Sequence, residues 1–318
     1  MNSNETDVEG HVSMRGTAPR SIQSSGFLLA LTHDWRVECV SANVGQFLGA
    51  EPAGLIGFCA STFLPDEIIH SLRNRLALLR DAEGIERLFA CPLGSDGHTF
   101  DIAIHIAGAE VIVEAEPSTS KHYGDFTGTL RGMMARLDDA ADVPGLCAAG
   151  SRQMRALSGF DRVIVTRLKE DGSGVVIAET ARSSITSFAS AKIPSSALAR
   201  YERAAFRRTA MHVIADVEAA PVDVIGGPLA DAAAPDLTRA VLRLASDGQA
   251  DQLRLMGAQS SVTMALIVDD ALWGIIACHH ATPRRISFER RSMAELFARM
   301  FAMRIEIAEL KHAAAGGD

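Results

Sequence analysis

Several features that would point to a familiar function are scarce or missing in this 318-residue sequence. Its five cysteines include no pair with the C-x-x-C spacing of zinc or dithiol motifs. No phosphate-binding glycine loop occurs, and the acidic residues show no catalytic spacing tied to a nucleophile, so nothing favours an enzyme. The net charge of −8 gives no support for nucleic-acid binding.

Long apolar segments are also missing, since no run is long enough to span a bilayer. The first residues, MNSNETDVEG, are polar and acidic, which argues against a secretory signal. We therefore expect a cytoplasmic protein with no membrane partner, whose cysteines are mostly free thiols. Residues 1–20 carry no periodicity and are predicted to form a flexible arm.

The length and the hydrophobic fraction of 47% suffice for two globular cores. Residues 21–117 predict an α+β domain in which Phe100, Ile102, Ile104 and Ile106 alternate with polar or small residues, as in a half-buried strand. The Glu-Pro-Ser-Thr-Ser segment at 116–120 marks its end. The predicted elements are strands at 26–31, 37–41, 87–92, 100–106 and 111–115 and a helix at 65–79.

Residues 118–311 predict a second α+β domain, followed by a tail at 312–318. Asp-Gly-Ser-Gly between two apolar runs is typical of a hairpin turn, and Asp269-Asp270 is predicted to turn a second, central hairpin. The predicted elements are helices at 126–140, broken at Pro144-Gly145 and resuming to 157, and at 197–209, strands at 163–168, 175–180, 213–216, 262–268 and 272–278, and a long loop at 218–235 that we expect to be functional.

A helix at 287–310 is the clearest helical pattern of the chain. One set of apolar residues alternates steps of three and four, which is a heptad seam, and a second apolar stripe lies beside it. One stripe would cover the domain itself and the other would bind a partner; a single broad buried face is the alternative. The seam comprises Met293, Leu296, Met300, Met303, Ile307 and Leu310, and the second stripe Phe297, Phe301 and Ile305.

Several blocks of the sequence resemble bacterial phytochromes. LSGFDRVIVTRLKEDGSGVVIAE at 157–179 is similar to the start of their GAF domain, and LWGIIACHH at 272–280 to its end. IADV at 214–217, AVLR at 240–243 and LRLMGA at 253–258 lie between them, and IQSSGFLLAL at 22–31 resembles a segment of the PAS domain. The resemblance implies a PAS domain followed by a GAF domain, each an antiparallel sheet flanked by helices, with a figure-of-eight knot between the N-terminal arm and the loop at 218–236.

The resemblance also implies a biliverdin chromophore, but the residues that would hold it are largely replaced. The family attaches bilin to a cysteine of the N-terminal arm, whereas the first cysteine here is Cys39, within a predicted strand. Lys192 stands where the family has the aspartate at the tetrapyrrole centre, Gln249 where it has the pocket histidine, and Thr166 and His212 where it has a tyrosine and an arginine. The residues of the remnant pocket are Ile193, Pro194, Arg243, Gln249 and His279, with Trp273 and His280 also retained.

We therefore expect a phytochrome-like sensory receptor that has lost covalent bilin binding and light sensing. Two alternatives stay open: a photoreceptor that binds biliverdin non-covalently, and a GAF pocket for another small ligand. No metal site is expected, because strand alternation puts Cys278 and His280 on one face and His279 on the other. Reversible oxidation of a cysteine is the hypothesis for the stimulus, with Cys59, Cys91 and Cys147 as candidates and burial as the alternative for each.

The resemblance implies partners for the last helix. We expect a homodimer through the GAF helices, with the helix at 287–310 continuing into a PHY domain and a histidine kinase output that acts on a response regulator. Cofactors are not expected, apart from biliverdin in the non-covalent alternative.

Overall fold

The computed structural model describes residues 20–79, 84–94, 97–119, 125–189, 191–193, 206, 209, 211–226 and 235–315. These residues form two antiparallel sheets flanked by helices, so the predicted α+β fold is confirmed. None of the helices described is both long and apolar enough to cross a lipid bilayer. The strands are β1 (Ser21–Ile22), β2 (Phe27–Leu31), β3 (Val37–Ser41), β4 (Glu86–Pro92), β5 (Thr99–Ala107), β6 (Glu110–Pro117), β7 (Arg162–Leu168), β8 (Gly174–Ala181), β9 (Lys192–Ile193), β10 (Met211–Ile214), β11 (Val222–Gly226), β12 (Ser260–Val268) and β13 (Ala271–His280). The helices are α1 (Val44–Leu48), α2 (Pro52–Leu55), α3 (Asp66–Leu78), α4 (Phe126–Ala135), α5 (Val143–Ser158), α6 (Asp247–Leu255) and α7 (Phe288–Ala315), with a 3₁₀ turn at Ala60–Thr62.

The first sheet has the strand order β1-β11-β3-β2-β6-β5-β4. Its residues alternate as the sequence predicts: Phe100, Ile102 and Ile104 of β5 pack with α3 in one core. The opposite face carries a smaller core that includes Leu28 and Ile112 and, from the second domain, Leu237, Ala240 and Leu242. The first sheet is therefore covered on one face by its own helices and on the other by chain from the second domain.

Strand β11 corrects one prediction. The segment 218–235 was expected to be a loop, but Val222–Gly226 form a strand that pairs with both β1 and β3 of the first sheet. Val222 and Val224 alternate with polar or exposed residues along this strand and pack against the small core on that face. The glycines and alanines around them conceal this alternation in the sequence. Residues 1–19 and 227–234 lie outside the described residues, so the knot stays a prediction.

The second sheet has the order β10-β12-β13-β7-β8-β9. Asp269 and Asp270 form the predicted turn between β12 and β13, both with positive φ, as in the turns that favour tight hairpins. The predicted interruption between two helices is present, but it lies at residues 136–142 and not at Pro144-Gly145. Pro144 lies in the first turn of α5, where its missing N–H costs nothing, and the Asp142 side chain caps that helix. Helix α4 ends at Ala135 rather than 140. The predicted helix at 197–209 lies outside the described residues except for Phe206 and Thr209.

Helix α7 separates the two apolar stripes that the sequence predicts. Phe297, Phe301 and Ile305 are fully buried in the core of the second domain. Gly150 of α5 permits this close packing, because a Cβ there would lie 2.7 Å from the ring of Phe301. Met293, which the seam included, is buried in the same core instead. The exposed members of the seam are Leu296, Met303, Ile307 and Leu310.

Two buried carboxylates of β6 join the first domain to the second. Glu116 binds Arg291 of α7 in a bidentate pair, with N–O distances of 2.9 and 2.7 Å, and the Arg291 Nε also donates to the Ile286 carbonyl. Glu114 accepts hydrogen bonds from the backbone N–H groups of Val241 and Leu242 at 2.9 and 2.8 Å. Strand β6 thus holds both the segment before α6 and the start of α7.

Loss of the Arg291–Glu116 pair should destabilise the protein strongly. Both side chains are more than nine-tenths buried, so Arg291→Met would leave an uncompensated buried carboxylate and is expected to lower the free energy of unfolding by about 3–5 kcal/mol. Arg254→Met removes a partner from an exposed pair with Glu218 and should leave stability nearly unchanged. Urea unfolding of the two variants measures the difference. Equal effects would show that the buried pair has no special role.

Candidate functional site

The second sheet has two faces of different character. Val163, Val165, Met264, Ile276 and Cys278 face α5 and α7 and belong to the main core. The alternate residues of the same strands face a cavity of about 100 Å³ that α6 covers from the other side. The described residues that line it are Ile164, Thr166, Leu168, Ile193, Phe206, Ile214, Gln249, Gln252, Leu253, Met256, Ser261, Thr263, Ile275, Ala277 and His279.

Polar side chains meet at one end of this cavity because of the strand register. Ser261 of β12 lies directly opposite His279 of β13. Directly opposed residues of an antiparallel pair have their Cβ atoms about 4.5–5.5 Å apart, so the hydroxyl and the imidazole are neighbours. Thr166 of β7 lies opposite Ile275 on the same face. The sheet therefore offers the cavity a polar group at one end and aliphatic side chains along its length.

His279 is a buried polar residue of the cavity. It is only 9% exposed, and its Nδ1 makes no hydrogen bond among the described residues. Burial, with a smaller contribution from the neighbouring Arg162, lowers the pKa of His279 to about 4, so the imidazole is neutral at physiological pH. Buried polar atoms normally have a partner, and an unsatisfied one is costly. None of the described residues supplies that partner.

Gln249 takes part in capping α6 as well as lining the cavity. It is the third residue of α6, and its Oε1 accepts a weak hydrogen bond of 3.3 Å from the backbone N–H of Ser246. The Ser246 hydroxyl accepts in return from the Gln249 N–H, which completes a capping box. The side chain at the position where the resemblance implies a histidine thus takes part in capping the helix.

The structure brings together only part of the predicted pocket. Ile193, Gln249, His279 and also Thr166 line the cavity, whereas Pro194 lies outside the described residues. Arg243 is absent from the described lining and donates instead to the Thr209 hydroxyl and the Thr238 carbonyl at 2.9 and 2.8 Å. The binding roles assigned to these residues stay predictions.

Three other positions singled out in the sequence lie away from the cavity. Lys192 is exposed on the edge strand β9. Trp273 donates to Glu309 of α7 at 2.9 Å and packs in the main core. His212 is fully buried on β10, and burial lowers its pKa well below the usual value.

Ser261 and Thr263 are the cavity residues that sequence reasoning missed. The alternation of Val262, Met264 and Leu266 puts the intervening residues on the opposite face, so the signal was present in the strand pattern. The strand pattern does not show where α6 lies, and it is α6 that makes the opposite face a cavity wall.

The three candidate redox cysteines differ in exposure. Cys147 is fully buried, and burial raises the pKa of its thiol to about 12. Cys91 is 6% exposed with a pKa raised by burial to about 11. Cys59 is only partly buried, and a hydrogen bond from the Ser61 hydroxyl at 3.2 Å lowers its pKa. Reactivity follows the thiolate, so the geometry favours Cys59 among the three.

Comparisons with known proteins agree with this architecture. The model of the PAS fold matches residues 15–118, and the model of the GAF domain matches residues 142–308. The cyanobacterial phytochrome B of Nostoc sp. is 30% identical over 92% of this chain, and a bacteriophytochrome of Pseudomonas aeruginosa is 26% identical over 92%. The chain spans 39% and 40% of the length of these two relatives.

Solved structures of chromophore-binding domains share this fold over most of the chain. The domain from an unusual bacteriophytochrome of R. palustris superposes with a TM-score of 0.81 and 31% identity, covering 92% of this chain and 97% of that one. The domain from the Stigmatella aurantiaca bacteriophytochrome gives a TM-score of 0.82 and 28% identity, covering 90% and 95%.

The described cavity does not fit a covalently attached tetrapyrrole. Its volume of about 100 Å³ is well below the roughly 300–1,000 Å³ of pockets for drug-sized ligands. Its described lining contains no cysteine and no charged side chain, and the chain has no cysteine before Cys39. Arg243, which would meet a propionate, has protein partners instead.

The neutral state of His279 predicts a pH dependence of stability. Its pKa is about 4 in the folded protein against 6.5 as the reference, so between these values the unfolded chain binds more protons. The free energy of unfolding therefore falls as the pH drops from about 6.5 towards 4. Between pH 7 and pH 5 the wild type should lose about 2 kcal/mol more than His279→Phe.

Urea unfolding of both proteins at the two pH values measures this difference. Glu110 and Glu114, whose pKa values burial raises to about 7, act in the opposite direction but are common to both proteins. His33→Phe, at an exposed position, is the matched control and should keep the wild-type difference. An unchanged difference in His279→Phe would mean that the pKa of His279 is the same in the folded and unfolded states.

Proposed function

Because this chain belongs to the phytochrome family as a PAS–GAF module, we propose that it is the sensory part of a signalling protein and holds no covalently attached bilin. The sensory role rests on the family. The absence of a covalent bilin rests on one observation: no cysteine is available either in the arm before Cys39 or among the described residues of the cavity. The two cysteines nearest in sequence to either place are both buried: Cys39 lies in the small core that includes Leu237 and Leu242, and Cys278 lies in the main core of the second domain.

The chemistry of the cavity supports the same proposal. A protonated, positively charged tetrapyrrole centre favours an anionic or hydrogen-bond-accepting partner. Lys192 replaces the aspartate that the family resemblance implies, and it is exposed on β9. Gln249 replaces the histidine and already takes part in a capping box. These replacements remove groups that orient the chromophore and move its protons.

A small ligand in the cavity is the second candidate function, and the size of the cavity favours it over non-covalent biliverdin. The volume of about 100 Å³ suits a molecule much smaller than a tetrapyrrole. Redox sensing through a cysteine is a further proposal. Cys59 is the favoured candidate among the three cysteines, because Cys91 and Cys147 are buried.

The exposed stripe of α7 supports dimerisation. Leu296, Met303, Ile307 and Leu310 are between 41% and 64% exposed and follow heptad spacing on one side of the helix. Large apolar side chains in such a row are costly in water and typical of a helix–helix interface. We propose that a second copy covers this stripe, and that α7 passes the signal towards a histidine kinase output in the full-length protein.

Expression with a biliverdin-producing oxygenase tests the absence of a covalent bilin. The purified chain should show no red absorbance that survives denaturation and no zinc-induced fluorescence on a denaturing gel. The R. palustris chromophore-binding domain, expressed in parallel, is the positive control. A pigment that remains bound after denaturation would overturn the proposal, whereas one that is lost on denaturation would favour the non-covalent alternative.

Charge on the exposed stripe of α7 should break the dimer. The double variant Leu296→Glu, Met303→Glu is expected to sediment as a monomer at concentrations where the wild type is a dimer, because two carboxylates would be buried in the interface. Leu78→Glu, at a position on α3 that is 60% exposed, is the matched control and should stay dimeric. A wild-type monomer, or a double variant that still dimerises, would contradict the assignment of this face.

A further inference from the structure

A carboxyl group and an imidazole are buried together where chain from the second domain crosses the first sheet. Glu114 of β6 is 1% exposed, and His105 of β5 is fully buried. In the register of the two strands His105 lies opposite Ile112, so Glu114, two residues further on, is its diagonal neighbour on the same face. The Glu114 Oε2 lies 3.9 Å from the His105 Nδ1, about 1 Å longer than a hydrogen bond. A small shift of either side chain would join them.

The same carboxyl group holds residues 240–242 of the second domain against this sheet. Its Oε2 accepts a hydrogen bond from the N–H of Val241 at 2.9 Å, and its Oε1 accepts one from the N–H of Leu242 at 2.8 Å. The Leu242 side chain packs in the small core on that face of the sheet. Helix α6 begins shortly afterwards, at Asp247. Glu114 is thus a polar attachment point for the chain that leads into α6.

Burial decides where the proton of this pair lies. The described charged groups around the pair are Glu110 and Glu116 of β6, Glu38 of β3, and Asp236, Arg239 and Arg243 of the crossing chain. Burial raises the pKa of Glu114 to about 7, although the two backbone N–H groups and Arg243 act in the opposite direction. It lowers the pKa of His105 to about 3, with a smaller contribution from Arg239. At neutral pH the proton therefore belongs on Glu114, and the neutral imidazole offers one acceptor nitrogen.

We propose that Glu114 carries a proton near neutral pH and donates it to His105 in a hydrogen bond, and that loss of this proton loosens residues 240–242 from the first sheet. With the proton in place, Oε1 still accepts from Leu242 and the hydroxyl points to the His105 Nδ1. Without it, a carboxylate is left almost out of reach of water, which is unfavourable unless the crossing chain moves away. The junction is therefore closed at lower pH and opens more often as the pH rises. Neither residue belongs to the described lining of the cavity, so the inference is independent of what binds there.

Amide hydrogen exchange of Val241 and Leu242 measures this opening. Glu110→Gln is the reference protein, because burial raises the pKa of Glu110 to about 7 as well. A Glu114 pKa of about 7 in the closed junction and 4.5 in the open one predicts that the protection of both amides, corrected for the intrinsic exchange rate, falls about tenfold from pH 6 to pH 8. Adding Glu114→Gln replaces the acid with a neutral amide of the same shape and should abolish this fall.

An NMR titration of the wild-type chain locates the proton without any substitution. The side-chain carboxyl ¹³C resonance of Glu114 should shift with a midpoint near pH 7, in line with its raised pKa of about 7. The ring ¹⁵N resonances of His105 should shift with the same midpoint, because the hydrogen bond to the Nδ1 is lost when Glu114 ionises. A common midpoint would support one proton held between the two side chains.

Three results would overturn the proposal. A Glu114 midpoint near its ordinary value of 4.5 would show that this carboxyl is ionised at neutral pH. His105 resonances without a step at the midpoint of Glu114 would exclude the shared proton. A fall in protection that persists after Glu114→Gln would assign the opening to other titrating groups of the chain, including those outside the described residues. If the Glu114→Gln protein does not fold, the wild-type titration decides alone, because it either places the proton on the pair or excludes it.

Discussion

The second domain depends on the strict alternation of side chains in the β12–β13 hairpin. One set of residues completes the core with α5 and α7, and the other forms a cavity wall against α6. A shift of register by one residue would exchange the two sets and would put His279 into the core and Cys278 into the cavity. Packing on the core face therefore fixes the chemistry of the cavity face.

Strand β6 connects this hairpin to the first domain. Glu116 holds Arg291 at the start of α7, and Glu114 holds the backbone just before α6. Helix α7 carries the exposed stripe, and α6 covers the cavity. Both faces of the second domain are therefore linked to one strand of the first domain. The hydrogen bonds of β6 therefore tie the segment before α6 and the start of α7 to the same strand of the first domain.

The elements with a clear hydrophobic period could be predicted from the sequence. The elements that depend on partners distant in the chain could not. The hairpin around Asp269 and the division of α7 into two stripes follow from local alternation, and the structure agrees with both. Strand β11 was missed because its pairing partners lie in the first domain. Arg243 was expected in the pocket on resemblance, but Thr209 and Thr238 bind its side chain, which no local pattern indicates.

The placement of β11 has a consequence for synthesis of the chain on the ribosome. Ser21 of β1 and Asp223 of β11 are 202 residues apart, yet they pair at one edge of the first sheet. That edge stays unpaired until most of the second domain has left the exit tunnel, and contacts of such long range form slowly. Until then, the nascent first domain has an unpaired sheet edge. A chain that is released early or truncated before residue 226 is therefore expected to aggregate rather than to form an independent PAS domain.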